Sequence, residues 1–372
     1  MITQYLQINE NGRKVGLDIL RSIAILLVLY YHTDYLIYPF LPEIIGNILH
    51  WSGYLGVDIF FVLSGFLIGG LLVKETEKNG INFPTLKLFV IRRWLRTLPN
   101  YYFTLLVYIL IFLLFKNNIH FPEFRSNWVF NIVREADLWR YFVFLQFFFE
   151  PFQSFFIQSW SLCVEELVYI VVPLSLLLFR RFGLKSVLIF LFVASFLLKI
   201  ILFYKGRSHT YLFYRPSAIL IGLLFSVIYL KRKSFFIQYK NHFFILSLLI
   251  FITAFFVYIT KDMVYSKTPY SLLTALLLII SFSLSIPFFS DLNVSNKLIR
   301  KIIIQISILS YSIYLNHFIP ILIIDIIGVY IIEMNLIVKY LLFFSGTYIL
   351  SIFQYKYIET PFLIYREKKF SR

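Results

Sequence analysis

Long apolar runs recur along this chain, too many and too long for a soluble core. Stretches of roughly 18–23 residues with few charges fall at about 17–38, 51–73, 98–115, 160–179, 186–204, 210–230, 243–260, 270–289, 302–324 and 336–355. About twenty apolar residues wound as a helix cross the ~30 Å hydrocarbon core of a bilayer. In lipid every backbone N–H and C=O must find a partner inside the protein, and a helix provides that within one segment. The expectation is an all-α, polytopic membrane bundle of about ten transmembrane helices. It forms one domain over residues 1–372, with no appended soluble domain.

Composition agrees: 60% of residues are hydrophobic and only 15% are charged, where soluble domains carry about a quarter charged. The net charge of +16 would suggest a nucleic-acid partner if it were gathered in a domain. Instead the basic residues collect in alternate short loops between apolar runs, the positive-inside pattern. It predicts a multi-pass protein of the bacterial inner (cell) membrane, in contact with lipid and not with nucleic acid, with both termini cytoplasmic. The one cysteine, Cys163, excludes an internal disulfide and a cysteine-based metal cluster. No metal is expected.

Charges within the runs carry the functional information, because an ionisable group at membrane depth is costly and is kept for a polar cavity or a partner. The first run holds Asp18, Arg21, His32 and Asp34. Arg21 and His32 are eleven residues apart, close to three helical turns, so they share a face about 16 Å apart along the axis. One helix thus presents a fixed cation near one surface and a titratable imidazole deep inside. The second run carries Asp58 and Ser64 among glycines that permit close helix contact. Next comes FVIRRWLRTLPNYY, read as a short basic helix before a span that opens at Pro99. Arg93 and Arg96 lie on one face there, and guanidinium groups bind phosphate oxygens bidentately.

Glu165 and Glu166 stand in the fourth run and point to different faces, so one of them is expected to look into the bundle. Arg215 begins the apolar part of the sixth run, where it can pair with a carboxylate or reach for the interface. The ninth run adds Ser310, Tyr311, Tyr314 and His317. Either Glu165 or Asp58 is suited to orient the His32 ring, and the sequence does not choose between them. The segment 116–158, rich in Phe and Trp, is the expected cover or acceptor contact.

Seven pieces in this order resemble the bacterial acyltransferase-3 family of integral membrane acyltransferases. They are LDILRSIAILLVLYYH, GVDIFFVLSGFLIG, RRWLRTLPNYY, WSLCVEELVY, RPSAILIG, SYSIYLNH and YIETP. The resemblance implies transfer of an acyl group, usually acetyl from acetyl-CoA, to a hydroxyl of a cell-envelope glycan or lipid-linked saccharide. It places the family's essential pair on Arg21 and His32, its arginine motif on Arg93 and Arg96, and its glutamate on Glu165. One departure is Ser307, where the family commonly has glycine; a packing role is expected there.

The resulting assignment makes His32, Glu165 and Asp58 catalytic. Arg21, Arg93 and Arg96 bind the acyl-CoA phosphates, while Arg215, Tyr314 and His317 meet the acceptor. A continuous polar passage is expected to join the arginines to His32. A transporter or flippase, or a non-catalytic partner in polysaccharide export, is the competing class. Neither needs the arginine cluster or the Arg–His spacing.

Overall fold

The computed structural model describes residues 13–33, 43–115, 138–146, 156–205, 215–260, 269–332 and 334–370. These residues are overwhelmingly helical, and no strand occurs among them. The helices are α1 (Val15–His32), α2 (Glu43–Asn79), α3 (Phe83–Phe115), α4 (Leu138–Phe142), α5 (Ser159–Leu178), α6 (Gly183–Tyr204) and α7 (Pro216–Lys231). They continue as α8 (Lys233–Gln238), α9 (Lys240–Thr260), α10 (Pro269–Asp291), α11 (Lys297–Asn316), α12 (Phe318–Tyr330), α13 (Leu336–Gln354) and α14 (Thr360–Lys369). Nine segments among the described residues are long and apolar enough to cross a membrane, and α7 and α12 are shorter apolar helices. The polytopic all-α reading holds. Most of the segment 116–158 and the outer parts of the first and sixth expected spans lie outside the described residues.

Three boundaries differ from the expected spans. The arginine stretch is not a separate helix: α3 runs unbroken for 33 residues with Pro99 inside it. Proline removes one backbone bond from a helix interior, but neighbouring helices and hydroxyl groups compensate at such sites in membrane proteins. The ninth span is two helices, α11 and α12, with His317 at the joint. Pro320 sits three residues beyond, and its missing N–H leaves the Asn316 carbonyl without its i+4 donor. At the far end the chain does not stop at residue 355. A π-helical turn, Tyr355–Glu359, joins α13 to α14 and carries Glu359 inward, where it is 4% exposed.

The helices meet through small residues, since lipid offers no hydrophobic drive for association and close van der Waals packing must supply it. The most extensive packing among the described helices is α2 on α7. A Cβ at Gly65 would strike the Ile219 carbonyl oxygen, and one at Gly222 the Val62 carbonyl oxygen. In the same way α1 passes α2 at Gly56, whose added Cβ would lie 2.6 Å from the Ala24 carbonyl oxygen. α1 is enclosed by α2, α10 and α11, so its polar face is turned inward. By contrast, α6 and α9 leave large apolar side chains such as Phe190, Leu197, Leu246 and Leu249 outside. That is the surface a helix shows to lipid.

Candidate active site

A cavity opens among α1, α2, α3, α5 and α11. Its walls bring together Arg21, Arg93, Arg96, Glu165, Ser64, Ser161, Tyr311 and Tyr314 from five separate helices. The three arginines are not equivalent. Arg93 Nη2 donates to Glu165 Oε2 at 3.0 Å and to the Tyr169 hydroxyl at 2.8 Å, and its guanidinium lies over the Tyr169 ring at 4.5 Å. Tyr169 spends its one hydroxyl proton on Glu165 Oε2 at 2.6 Å. Ser64 Oγ, 2.8 Å away, therefore donates to Tyr169. Arg93 is thus neutralised and locked.

Arg21 and Arg96 differ. Among the described residues neither guanidinium has a hydrogen bond or an ion pair, although both face the cavity. The carboxylate nearest to Arg21 in sequence is Asp18, and it is occupied elsewhere. Arg13 grips it through Nε–Oδ2 at 2.6 Å and Nη2–Oδ1 at 2.8 Å, and Ser307 Oγ donates to Oδ1 at 2.5 Å. Ser307, expected only to pack, is therefore a hydrogen-bond donor that helps keep Asp18 away from Arg21.

Both glutamates of α5 turn inward, which corrects the expectation that only one would. Glu166 accepts from Trp94 Nε1 at 2.9 Å and Thr97 Oγ1 at 3.1 Å. Glu165 meets Arg93 and Tyr169, and Asp58 is ion-paired with Arg215 across the α2–α7 crossing. Arg215 also faces the rings of Tyr54 and Trp160, at 5.4 and 5.9 Å. Both carboxylates proposed to orient His32 are thus engaged by arginines. The Val28 carbonyl takes that place, accepting from His32 Nδ1 at 2.8 Å. Since a carbonyl only accepts, the proton of a neutral ring sits there on Nδ1, which leaves Nε2 the lone pair. His317 makes the same arrangement, its Nδ1 donating to the Tyr314 carbonyl at 2.7 Å. The two imidazoles lie 4.6 Å apart between ring centroids, and the Phe318 ring packs on both.

Of the passage expected between the arginines and His32, this cavity holds the arginine end. His32 and His317 are not among the residues lining the cavity, whose wall includes Tyr314 and Phe60. Tyr314 is held there because its hydroxyl donates to the Gln158 carbonyl at 2.9 Å and accepts from Ser161 Oγ at 2.7 Å. Its ring lies 5.8 Å from that of His317. Tyr314 therefore both lines the cavity and lies close to the His317 ring.

The sequence reading missed a buried polar seam beside the cavity. Asn100 Nδ2 donates to Glu359 Oε2 at 2.6 Å, and Ser312 Oγ reaches the same oxygen at 3.3 Å. One turn on, Gln354 accepts from Asn316 at 2.5 Å and donates to Thr104 and to the Asn100 carbonyl. The YIETP motif contained the signal, but Glu359 reads as lying past the last span unless the π-helical turn is known. No group of three or more metal-ligating side chains occurs among the described residues.

A helical bundle with segments long and apolar enough to cross a membrane thus brings three guanidiniums to one cavity, with two imidazoles close together nearby. The chain belongs to the acyltransferase-3 family, whose model, described as an acyltransferase domain, matches residues 14–356. It is 28% identical over 374 residues to a protein of Staphylococcus aureus (strain COL) named as an O-acetyltransferase. That match covers 93% of this chain and 57% of the relative. Over 45% of its length it is 31% identical to the peptidoglycan O-acetyltransferase OatA of Listeria monocytogenes, covering 24% of that protein. A Bacillus subtilis (strain 168) protein named as a peptidoglycan O-acetyltransferase is 29% identical, over 59% of this chain and 34% of its own. The chain spans little more than half the length of the first of these relatives and less of the others. No solved structure matches it.

Proposed function

We propose that the chain is a membrane O-acyltransferase that moves an acyl group, acetyl first among candidates, from acyl-CoA to a hydroxyl of a cell-envelope glycan. The single observation that carries this reading is that Arg21 and Arg96, which have no hydrogen-bond or ion-pair partner among the described residues, face one cavity, Arg21 sharing α1 with His32, whose Nδ1 is turned to the Val28 carbonyl. CoA is a polyanion, and charge-assisted bonds from guanidinium to phosphate are among the strong ones. The arginine end of the bundle is cytoplasmic in this reading, as the positive-inside pattern of the loops requires, and the membrane is the inner one. Arg93, being spent on Glu165, shapes the pocket and leaves the phosphate contacts to Arg21 and Arg96.

The thin pantetheine arm extends along the cavity toward Tyr314, which must yield for the thioester to reach His32. His32 Nε2 then draws the proton from the acceptor hydroxyl as that oxygen attacks the thioester carbonyl. The C–S bond breaks, and the proton passes to the departing sulfur. The relatives named for peptidoglycan make a muramyl glycan the first acceptor to try. Arg215 is committed to Asp58, so in this reading it holds α7 on α2 near the acceptor side and does not bind the acceptor directly. The test uses the purified chain in lipid nanodiscs with radiolabelled acetyl-CoA and soluble glycan fragments. Label is expected in the glycan with wild type and not with His32→Ala, at equal folded protein. Undiminished labelling by His32→Ala would remove the base, and absence of any acetyl-CoA binding by wild type would remove the donor.

A further inference from the structure

His317 is wholly buried, at 0% exposure, and its Nε2 has no hydrogen-bond partner among the described residues. Buried polar atoms are nearly always satisfied, so an orphan of this kind calls for an explanation. Each imidazole turns Nδ1 back onto a carbonyl of its own chain segment, Val28 for His32 and Tyr314 for His317. Nε2 lies across the ring from Nδ1, so in both residues the lone pair is turned away from that carbonyl. The helix joint at His317 is what sets its ring against His32, 4.6 Å between centroids at a tilt of 49°. Two neutral imidazoles in this tautomer cannot bond to each other through Nε2, since both are acceptors. A proton arriving on either one changes that, because an imidazolium N–H can be shared with the other lone pair. The unmatched Nε2 of His317 is then a group waiting for the proton that the reaction liberates.

We infer that His32 and His317 act as one two-imidazole base, His317 being the positioning residue that holds the proton with His32 during transfer. This rests on the reading of His32 as the base. The acceptor O–H breaks and its proton goes to Nε2 of His32, shared with Nε2 of His317. The oxygen bonds the acyl carbon, and the C–S bond breaks. The proton then leaves for the thiolate, giving CoA-SH and both imidazoles neutral again. Among the described residues, titratable side chains with a ring against the pair include Tyr31, against His32, and Tyr314, against His317 and tied to Ser161 and Gln158. Neither is a stronger base than an imidazole near neutral pH.

The experiment compares His317→Asn, His317→Gln, His32→Asn and the double variant His32→Asn/His317→Asn in nanodiscs, with labelled acetyl-CoA and the glycan acceptor. Asparagine keeps a side-chain N–H for the Tyr314 carbonyl, and glutamine keeps an oxygen that accepts but cannot be protonated in this range. General-base contributions are about 10²–10⁴-fold. Both His317 variants are therefore expected to lose about 10²-fold or more in kcat, with KM for either substrate within about twofold. Groups acting as a unit are not additive, so the double variant should be no slower than His32→Asn. A His317 variant within threefold of wild-type kcat, a defect confined to acceptor KM, or additive losses would overturn the inference. A fully active His32→Asn would instead sink the base reading beneath it. Should the His317 variants fail to fold, kcat of wild type in mixtures of H₂O and D₂O decides. A curved proton inventory, from more than one proton in motion, is expected, and a straight line contradicts the shared proton.

Discussion

At Arg21 the helix offers an acidic neighbour one turn back, Asp18, and the cavity ahead. The choice between them is made by residues far away in sequence. Arg13 and Ser307 occupy Asp18, and Arg21 faces the cavity without a hydrogen bond or ion pair among the described residues. Arg93 has the opposite fate, since Glu165 and Tyr169 consume it. The two kinds of arginine should therefore separate in experiment. A hydrogen bond to a charged group contributes about 1.5–3 kcal/mol, so Arg21→Ala and Arg96→Ala are each expected to weaken acetyl-CoA binding by about 10- to 100-fold, since 1.4 kcal/mol is tenfold. Their folding should be near normal, as measured by calorimetric titration and thermal unfolding. Arg93→Ala should instead destabilise the protein by about 3 kcal/mol, because Glu165 keeps its place in the wall without a cation. Adding Glu165→Gln should recover most of that loss. An Arg93→Ala variant of wild-type stability would show the pair to carry no weight.

On the scale of helices, two crossings and one joint place the site. The α2–α7 crossing depends on glycines whose missing side chains admit a carbonyl from the other helix. Gly65→Val is expected to cost at least the 1–3 kcal/mol typical of overpacking, read from resistance to unfolding in mixed micelles. Gly70→Ala is the contrasting case: the nearest atom to its Cβ is a flexible Leu230 methyl at 4.0 Å. That substitution should be neutral, or stabilising by up to about 1 kcal/mol, because alanine favours helix over glycine. The joint between α11 and α12 is the more consequential device. Pro320→Ala restores the N–H that can bond the Asn316 carbonyl, which should straighten the pair and swing His317 off His32. Transfer should fall more than tenfold while thermal stability holds or rises. Unchanged kcat in Pro320→Ala would mean the proline does not set the imidazole geometry.

For the molecule as a whole, ligand and fold are coupled through the walls of the cavity, which come from five helices. Cys163, 1% exposed on α5 and inside the bundle core, reports on that coupling. A ligand that binds only the folded form stabilises it by about 2.7 kcal/mol at a hundred times its dissociation constant. Maleimide labelling of Cys163 is expected to be slow in the native protein. Acetyl-CoA at that excess should slow it further, by up to about 100-fold, with no such effect in Arg21→Ala/Arg96→Ala. Labelling indifferent to acetyl-CoA would mean that the cavity helices open without regard to the donor.

Much of this was legible in residue order. Apolar runs of membrane-spanning length can only be helices, because lipid offers backbone groups no other partner, so the architecture followed from the runs alone. The charges at Arg21, His32, Asp58, Glu165 and Arg215 marked themselves, because each is expensive where it stands. Pairings were a different matter. Which carboxylate meets which guanidinium depends on how helices rotate and cross, and the α2–α7 contact joined Asp58 to Arg215 while α3 and α5 joined Arg93 to Glu165. The inward turn of Glu359 depends on one π-helical turn, and the contact of His317 with His32 depends on a joint near a proline that local pattern reads as a continuous span. Helical periodicity, taken one segment at a time, determined the bundle and its list of polar residues. The three-dimensional packing alone decided which of them neutralise each other and which are left for a ligand, because a charge is satisfied by its neighbours in space, whatever its neighbours in sequence.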